Sequence, residues 1–135
     1  MRRPFWLYGL GFVLFTYVFV QNAWVSDEAY VTFRSIEQFF AFRGPTWNPH
    51  ERVQAFEHPL WFVLLTGIRF SSRDLVLGVT AASWACGLLL LGVAAVFFRD
   101  WRKWFAWLLM LLASKSLVDY ASSGLETALV NLLLA

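Results

Sequence analysis

The sequence predicts an all-α protein, a polytopic transmembrane helical bundle with an amphipathic outer-face helix in its first extramembrane loop. Three observations predict it. Hydrophobic residues make up 59% of the 135-residue chain and charged residues 15%, where soluble domains run at roughly 45–50% and about 25%. Chains of this size leave much of their surface exposed, so lipid is the natural solvent for the apolar excess. The apolar residues fall in long runs almost free of charge, and the polar break at Ser26-Asp27-Glu28 opens a stretch with helical periodicity.

The first run, residues 5–24, carries no charge, and about twenty residues suffice to cross a bilayer. Arg2-Arg3 before it looks like a signal-peptide n-region. The run is too long for a typical signal core, and Gln21-Asn22-Ala23-Trp24 offers no small-x-small cleavage site. An uncleaved signal anchor follows, with a cytoplasmic N-terminus in an inner or plasma membrane that the chain crosses several times.

Ser26 suits an N-cap, and Asp27 and Glu28 suit the positive end of a helix dipole. Ala29, Phe33, Ile36 and Phe40 recur on one face, and Gly44-Pro45 is a stop signal. An amphipathic helix over 27–43 is expected, lying on the outer membrane surface. The prolines and Asn48 that follow predict a structured loop. Residues 59–70 are apolar but too short to cross, at ~1.5 Å per residue against ~30 Å of hydrocarbon, so they read as interfacial or re-entrant.

Residues 75–98 are long enough to cross. A basic turn at 99–103 precedes a further crossing over 104–120, and another begins at 126 and is cut off in mid-run at 135. The chain therefore reads as the N-terminal part of a larger membrane domain. Keeping 59–70 on the outer face puts both basic clusters, Arg2-Arg3 and Arg99/Arg102/Lys103, on the cytoplasmic side. It also puts an outer-face loop 25–74 and the polar segment 119–127 on the same face. The basic clusters flank hydrophobic runs and read as topogenic, which argues against a nucleic-acid partner. Cys86 is the one cysteine, so no intrachain disulfide exists. Gly9-Leu-Gly11 lies inside the first span and is no dinucleotide fingerprint.

The acids are the residues that could carry chemistry. Asp27-Glu28 either cap a helix or stand at the mouth of a membrane cavity as general base or metal ligand. Asp27, Tyr30 and Arg34 fall at i, i+3 and i+7 on one helical face. There a guanidinium could hold a phosphate or simply pair with the carboxylate. Glu126, after Ser122-Ser123-Gly124, is again either a cap or a functional acid near a membrane boundary, with Asp119 a weaker companion. In the loop, His50 and His58 do not make a metal site by spacing alone. Trp24, Trp47, Trp61, Trp101 and Trp104 read as interfacial anchors. Residue types and spacing thus reach a membrane protein with an acidic outer-face site.

Four blocks occur in order: Ser26-Asp27-Glu28-Ala29-Tyr30-Val31-Thr32-Phe33-Arg34, Gly44-Pro45-Thr46-Trp47-Asn48-Pro49-His50-Glu51-Arg52-Val53, His58-Pro59-Leu60-Trp61 and Ser123-Gly124-Leu125-Glu126-Thr127. In this order and wording the chain resembles the C-type superfamily of membrane glycosyltransferases, above all the polyprenyl-phosphate-sugar-dependent members that include mycobacterial arabinofuranosyltransferases. Glu28 stands where a second aspartate is commoner, and His50 where glycine is usual. The resemblance implies that Asp27, with Glu28 beside it, activates an acceptor hydroxyl or associates with a metal, and that Glu126 is the second acid. It implies that Tyr30, Arg34, Arg52 and His58 contact the sugar or phosphate of a polyprenyl-phosphate-sugar donor. A divalent metal, if one is used, would sit at Asp27 and Glu126. The expected function is sugar transfer from that carrier to a cell-envelope acceptor on the outer face. This needs the remainder of the parent chain, and the fragment alone is expected to be inactive. The alternative is a non-enzymatic membrane protein, a transporter fragment or small structural subunit, whose acids and arginines are caps and surface pairs.

Overall fold

The computed structural model describes residues 5–48, 50, 55–98 and 100–135. Arg2, Arg3, Arg52 and Arg99, singled out above, lie outside the described residues. Seven helices and no strand occur among the described residues: α1 (Phe5–Gln21), α2 (Asp27–Phe40), α3 (Pro59–Ser71), α4 (Leu75–Phe97), α5 (Trp101–Ala113), α6 (Lys115–Ser122) and α7 (Thr127–Leu133). The caps follow local chemistry. The Ser26 hydroxyl accepts the Ala29 N–H, Asp74 accepts the Leu77 N–H at 3.0 Å, and Asp100 accepts the Arg102 N–H at 3.0 Å. Pro59 opens α3, where its missing N–H is harmless.

Helix α4 is the spine. Its first turns, through Leu75 and Val79, join one core with Ala29, Phe33 and Ile36 of α2 and Trp61, Phe62 and Leu65 of α3. Its far half, through Leu91 and Ala94, joins a second core with Phe15 and Phe19 of α1 and Trp104 and Leu108 of α5. Glycines let the neighbours approach: Ile68 lies against Gly78 and the Phe15 ring against Gly87. Helices α6 and α7 pack on the same spine.

Helices α2 and α3 run side by side in the same direction. Glu28 near the start of α2 and His58 and Trp61 at the start of α3 border one cavity. At the other end the Phe40 and Phe70 rings meet edge-on at 4.8 Å. There Arg69 donates from Nε and Nη2 to Glu37 at 2.7 and 3.2 Å, a bond that holds the guanidinium proton still more firmly.

The structure redraws several expected boundaries. Among the described residues, α4 alone is both long and apolar enough to cross a membrane. Helices α1 and α3 are apolar but shorter. At ~1.5 Å per residue α4 is ~35 Å long, enough for ~30 Å of hydrocarbon. The run over 104–120, expected to cross, is divided between two helices, α5 and α6. Ser114 leaves helical geometry, and its hydroxyl caps α6 by accepting the Leu117 N–H. The apolar run after residue 126 is helical over the seven residues of α7. Helix α2 stops at Phe40 rather than Arg43, because Phe42 takes a positive φ of 59° while the Ala41 and Arg43 N–H groups bond back to Glu37 and Gln38 carbonyls.

Candidate functional site

The polar cavity forms where the head of α2 and the head of α3 meet the turn between α6 and α7. Five hydrogen bonds fasten that turn. Ser122 Oγ donates to the Asn22 carbonyl at 2.9 Å, and the Trp24 N–H donates to the Ser122 carbonyl at 3.4 Å. The Ser26 N–H donates to the Ser123 carbonyl at 2.9 Å. The Trp24 indole N–H reaches the Asp119 carbonyl at 3.0 Å, and the Trp61 indole N–H reaches the Gly124 carbonyl at 3.2 Å. Ser122 and Ser123 are completely buried. Gly124 holds φ +81° with Val25, Ala29 and Val79 packed close around its Cα, a conformation that favours glycine.

The cavity encloses about 190 Å³, below the ~300–1,000 Å³ of pockets for drug-sized ligands. Its scale suits a single small polar ring. Helix α2 contributes Glu28, Val31 and Thr32. The approach to α3 contributes Ala55, Glu57, His58 and Trp61, and the α6–α7 turn contributes Gly124, Leu125 and Glu126. His58 Nε2 lies 2.9 Å from Glu126 Oε1, with the histidine side chain 47% and the glutamate 20% exposed. Both residues occupy N-cap positions, and neither side chain caps its helix. A capping role therefore does not account for either. A carboxylate accepts only, so Nε2 is the donor in this bond, and in the neutral ring Nδ1 is the nitrogen left to accept. A larger cavity of about 430 Å³ lies among α1 and α4–α7. Its lining, which includes Phe15, Leu91, Trp107 and Met110, holds no charged side chain.

The expected site residues divide. Glu28, His58 and Glu126 line one cavity. Asp27 is exposed in the first turn of α2, outside that lining. Successive residues are turned by about 100° on a helix, so Glu28 and Thr32 face the cavity where Asp27 does not. Tyr30 is half-exposed, its ring edge-on to Phe33 at 5.4 Å. Arg34 is engaged with the loop: Nε donates to the Trp47 carbonyl at 3.0 Å, Nη2 to Asn48 Oδ1 at 3.4 Å, and its guanidinium lies over the Trp47 ring. Asp27, Tyr30 and Arg34 are not among the described residues that line the cavity. Arg52 lies outside the described residues. Among the described residues no group of three or more His, Cys, Asp or Glu side chains is placed to hold a metal ion.

Thr32 and Trp61 were not foreseen as cavity residues, whereas Glu57 belongs to the Glu57-His58-Pro59 stretch that the sequence offers as a candidate. Two tryptophans read as interfacial anchors are core residues. Trp61 is 3% exposed, and Trp104 is 1% exposed with its indole N–H on the Leu91 carbonyl at 3.1 Å. The one advance sign for Trp61 was its position three residues after His58, one turn into α3.

No family model matches the chain, and no solved structure matches it. The chain is 28% identical over 130 residues to the terminal beta-(1->2)-arabinofuranosyltransferase of Mycobacterium tuberculosis, a match covering 87% of this chain and 21% of that protein. The chain thus spans about a fifth of that relative's length. This is a distant relation of glycosyltransferase type. Together with the apolar α4, it suggests a membrane location for an all-helical chain.

Proposed function

We propose that this chain forms the acidic head of a multi-pass membrane glycosyltransferase that moves a sugar from a polyprenyl-phosphate carrier to a cell-envelope acceptor. In this reading the N-terminus is cytoplasmic, the cavity opens on the outer face, and the bilayer, the lipid-linked donor and further parts of the same protein are its partners. The observation that carries the reading is the convergence of Glu28, His58 and Glu126 from three separate segments on one cavity of monosaccharide scale. The distant arabinofuranosyltransferase relation adds the reaction class and suggests arabinofuranose as the sugar to try first.

The reaction would be displacement at the anomeric carbon. The acceptor oxygen attacks, and the bond to phosphate breaks with its electron pair leaving on the polyprenyl phosphate. The acidic cavity would orient the hydroxyls and hold the proton released by the acceptor.

The test is transfer from polyprenyl-phosphate-arabinofuranose to a neutral pentose disaccharide, in membranes carrying the parent protein. Glu28→Gln and Glu126→Gln should each lower transfer ~100-fold or more. Asp27→Asn, outside the lining, should lower it less. Wild-type rates in both glutamine variants would sink the proposal.

A further inference from the structure

The His58–Glu126 pair joins two segments far apart in the chain across 2.9 Å. The more buried partner is the carboxylate and the more open partner is the imidazole. A general-base dyad requires this arrangement, in which an acid behind the ring fixes the tautomer and faces the charge the ring gains. Around it the cavity lining holds three glutamates, Glu28, Glu57 and Glu126, and among the described lining residues no lysine or arginine. Such a lining suits a neutral polyol, whose hydroxyls donate to carboxylates. It repels an anionic phosphate.

We infer that His58 is the proton acceptor of the transfer reaction, that Glu126 is its positioning residue, and that this cavity seats the uncharged acceptor sugar rather than the donor phosphate. The inference rests on the glycosyltransferase reading and assigns one side of that site. The acceptor O–H gives its proton to His58 Nδ1 as the oxygen's electron pair forms the new bond to the anomeric carbon. The anomeric carbon–phosphate bond breaks, and polyprenyl phosphate leaves with that electron pair. Nε2–H keeps its bond to Glu126 throughout, and the imidazolium afterwards returns its proton to water. Thr32 and Glu28 on α2 and Glu57 on the approach to α3 line the same cavity.

The experiment uses the parent protein in its membrane, with the donor and disaccharide acceptor named above. His58→Gln is the decisive variant, because a glutamine amide can still donate to Glu126 but cannot take the proton. The expected result is kcat reduced ~100- to 1,000-fold with the donor KM unchanged. The acid limb of the pH–rate profile, to which Glu28, Glu57 and Glu126 also contribute, should change shape. Added imidazole should partly restore His58→Ala. An acceptor bearing a phosphate ester beside its reacting hydroxyl should be a poor substrate. Wild-type kcat in His58→Gln, or an effect confined to the donor KM, overturns the assignment while leaving the glycosyltransferase reading intact. Absence of transfer by the wild-type protein sinks that reading itself, and the assignment with it.

Discussion

Trp61 on α3 donates its indole N–H to the backbone carbonyl of Gly124, 63 residues further along the chain and 3.2 Å away. This bond ties the wall of the cavity that carries His58 to the turn that carries Glu126. The indole is 3% exposed, so water cannot readily replace it. Trp61→Phe keeps most of the apolar area but leaves the carbonyl without its donor. The expected loss is about 1–3 kcal/mol, read as a lowered thermal midpoint in detergent, and a shift of the His58–Glu126 geometry should accompany it.

Gly124→Ala tests the other side of the same contact. A Cβ there would come 3.3 Å from Val79 Cγ1 and 3.5 Å from both Ala29 Cβ and Val25 Cγ1, on a backbone with φ +81°. Left-handed geometry alone costs a non-glycine residue of order 1–3 kcal/mol. The variant should unfold earlier, and Ser26 and Ser123 amides should exchange with deuterium faster. Unchanged exchange there would contradict the packing described around this turn.

Gly87→Val probes the packing of α1 on α4. The added side chain would run into the Phe15 ring of α1, whereas Gly92 on the same helix has open space in front of its Cα. Overpacking costs typically ~1–3 kcal/mol, so Gly87→Val should destabilise and Gly92→Ala should not. The comparison of the two midpoints isolates the α1–α4 contact from glycine effects on the helix itself.

Arg34→Ala distinguishes loop anchoring from phosphate binding. The guanidinium is engaged with the Trp47 carbonyl, the Asn48 side chain and the Trp47 ring. Its removal should speed amide exchange over 44–48 while α2 and α3 stay protected. A variant with unchanged exchange and a raised donor KM would restore Arg34 to the donor site.

Much of the helical architecture was legible because it rests on local rules. The cap at Ser26, the apolar run that opens at Pro59 and the length of α4 need only neighbours in sequence. The break at Ser114 was not legible, since a serine in an apolar stretch signals a cap only if the chain actually turns there. The acids were legible as a set, but which acid faces the cavity was not. Asp27 and Glu28 are adjacent in sequence and differ by one helical step, so the choice between them depends on how α2 is rotated against α3 and α4. That rotation is set by the burial of Ala29, Phe33 and Ile36 in a core shared with Trp61 and Val79.

By itself the sequence determined an apolar, helical chain with acidic residues at its polar breaks, because composition and period-3.6 patterning are properties of the chain alone. Only the tertiary structure decided that the Glu126 carboxylate reaches His58 instead of capping α7, and that Glu28 faces the same cavity. Those outcomes depend on contacts between segments widely separated in the chain, fastened by the backbone bonds from Trp24, Ser26 and Trp61 to the α6–α7 turn. No local pattern encodes such pairings; they follow from how the helices pack.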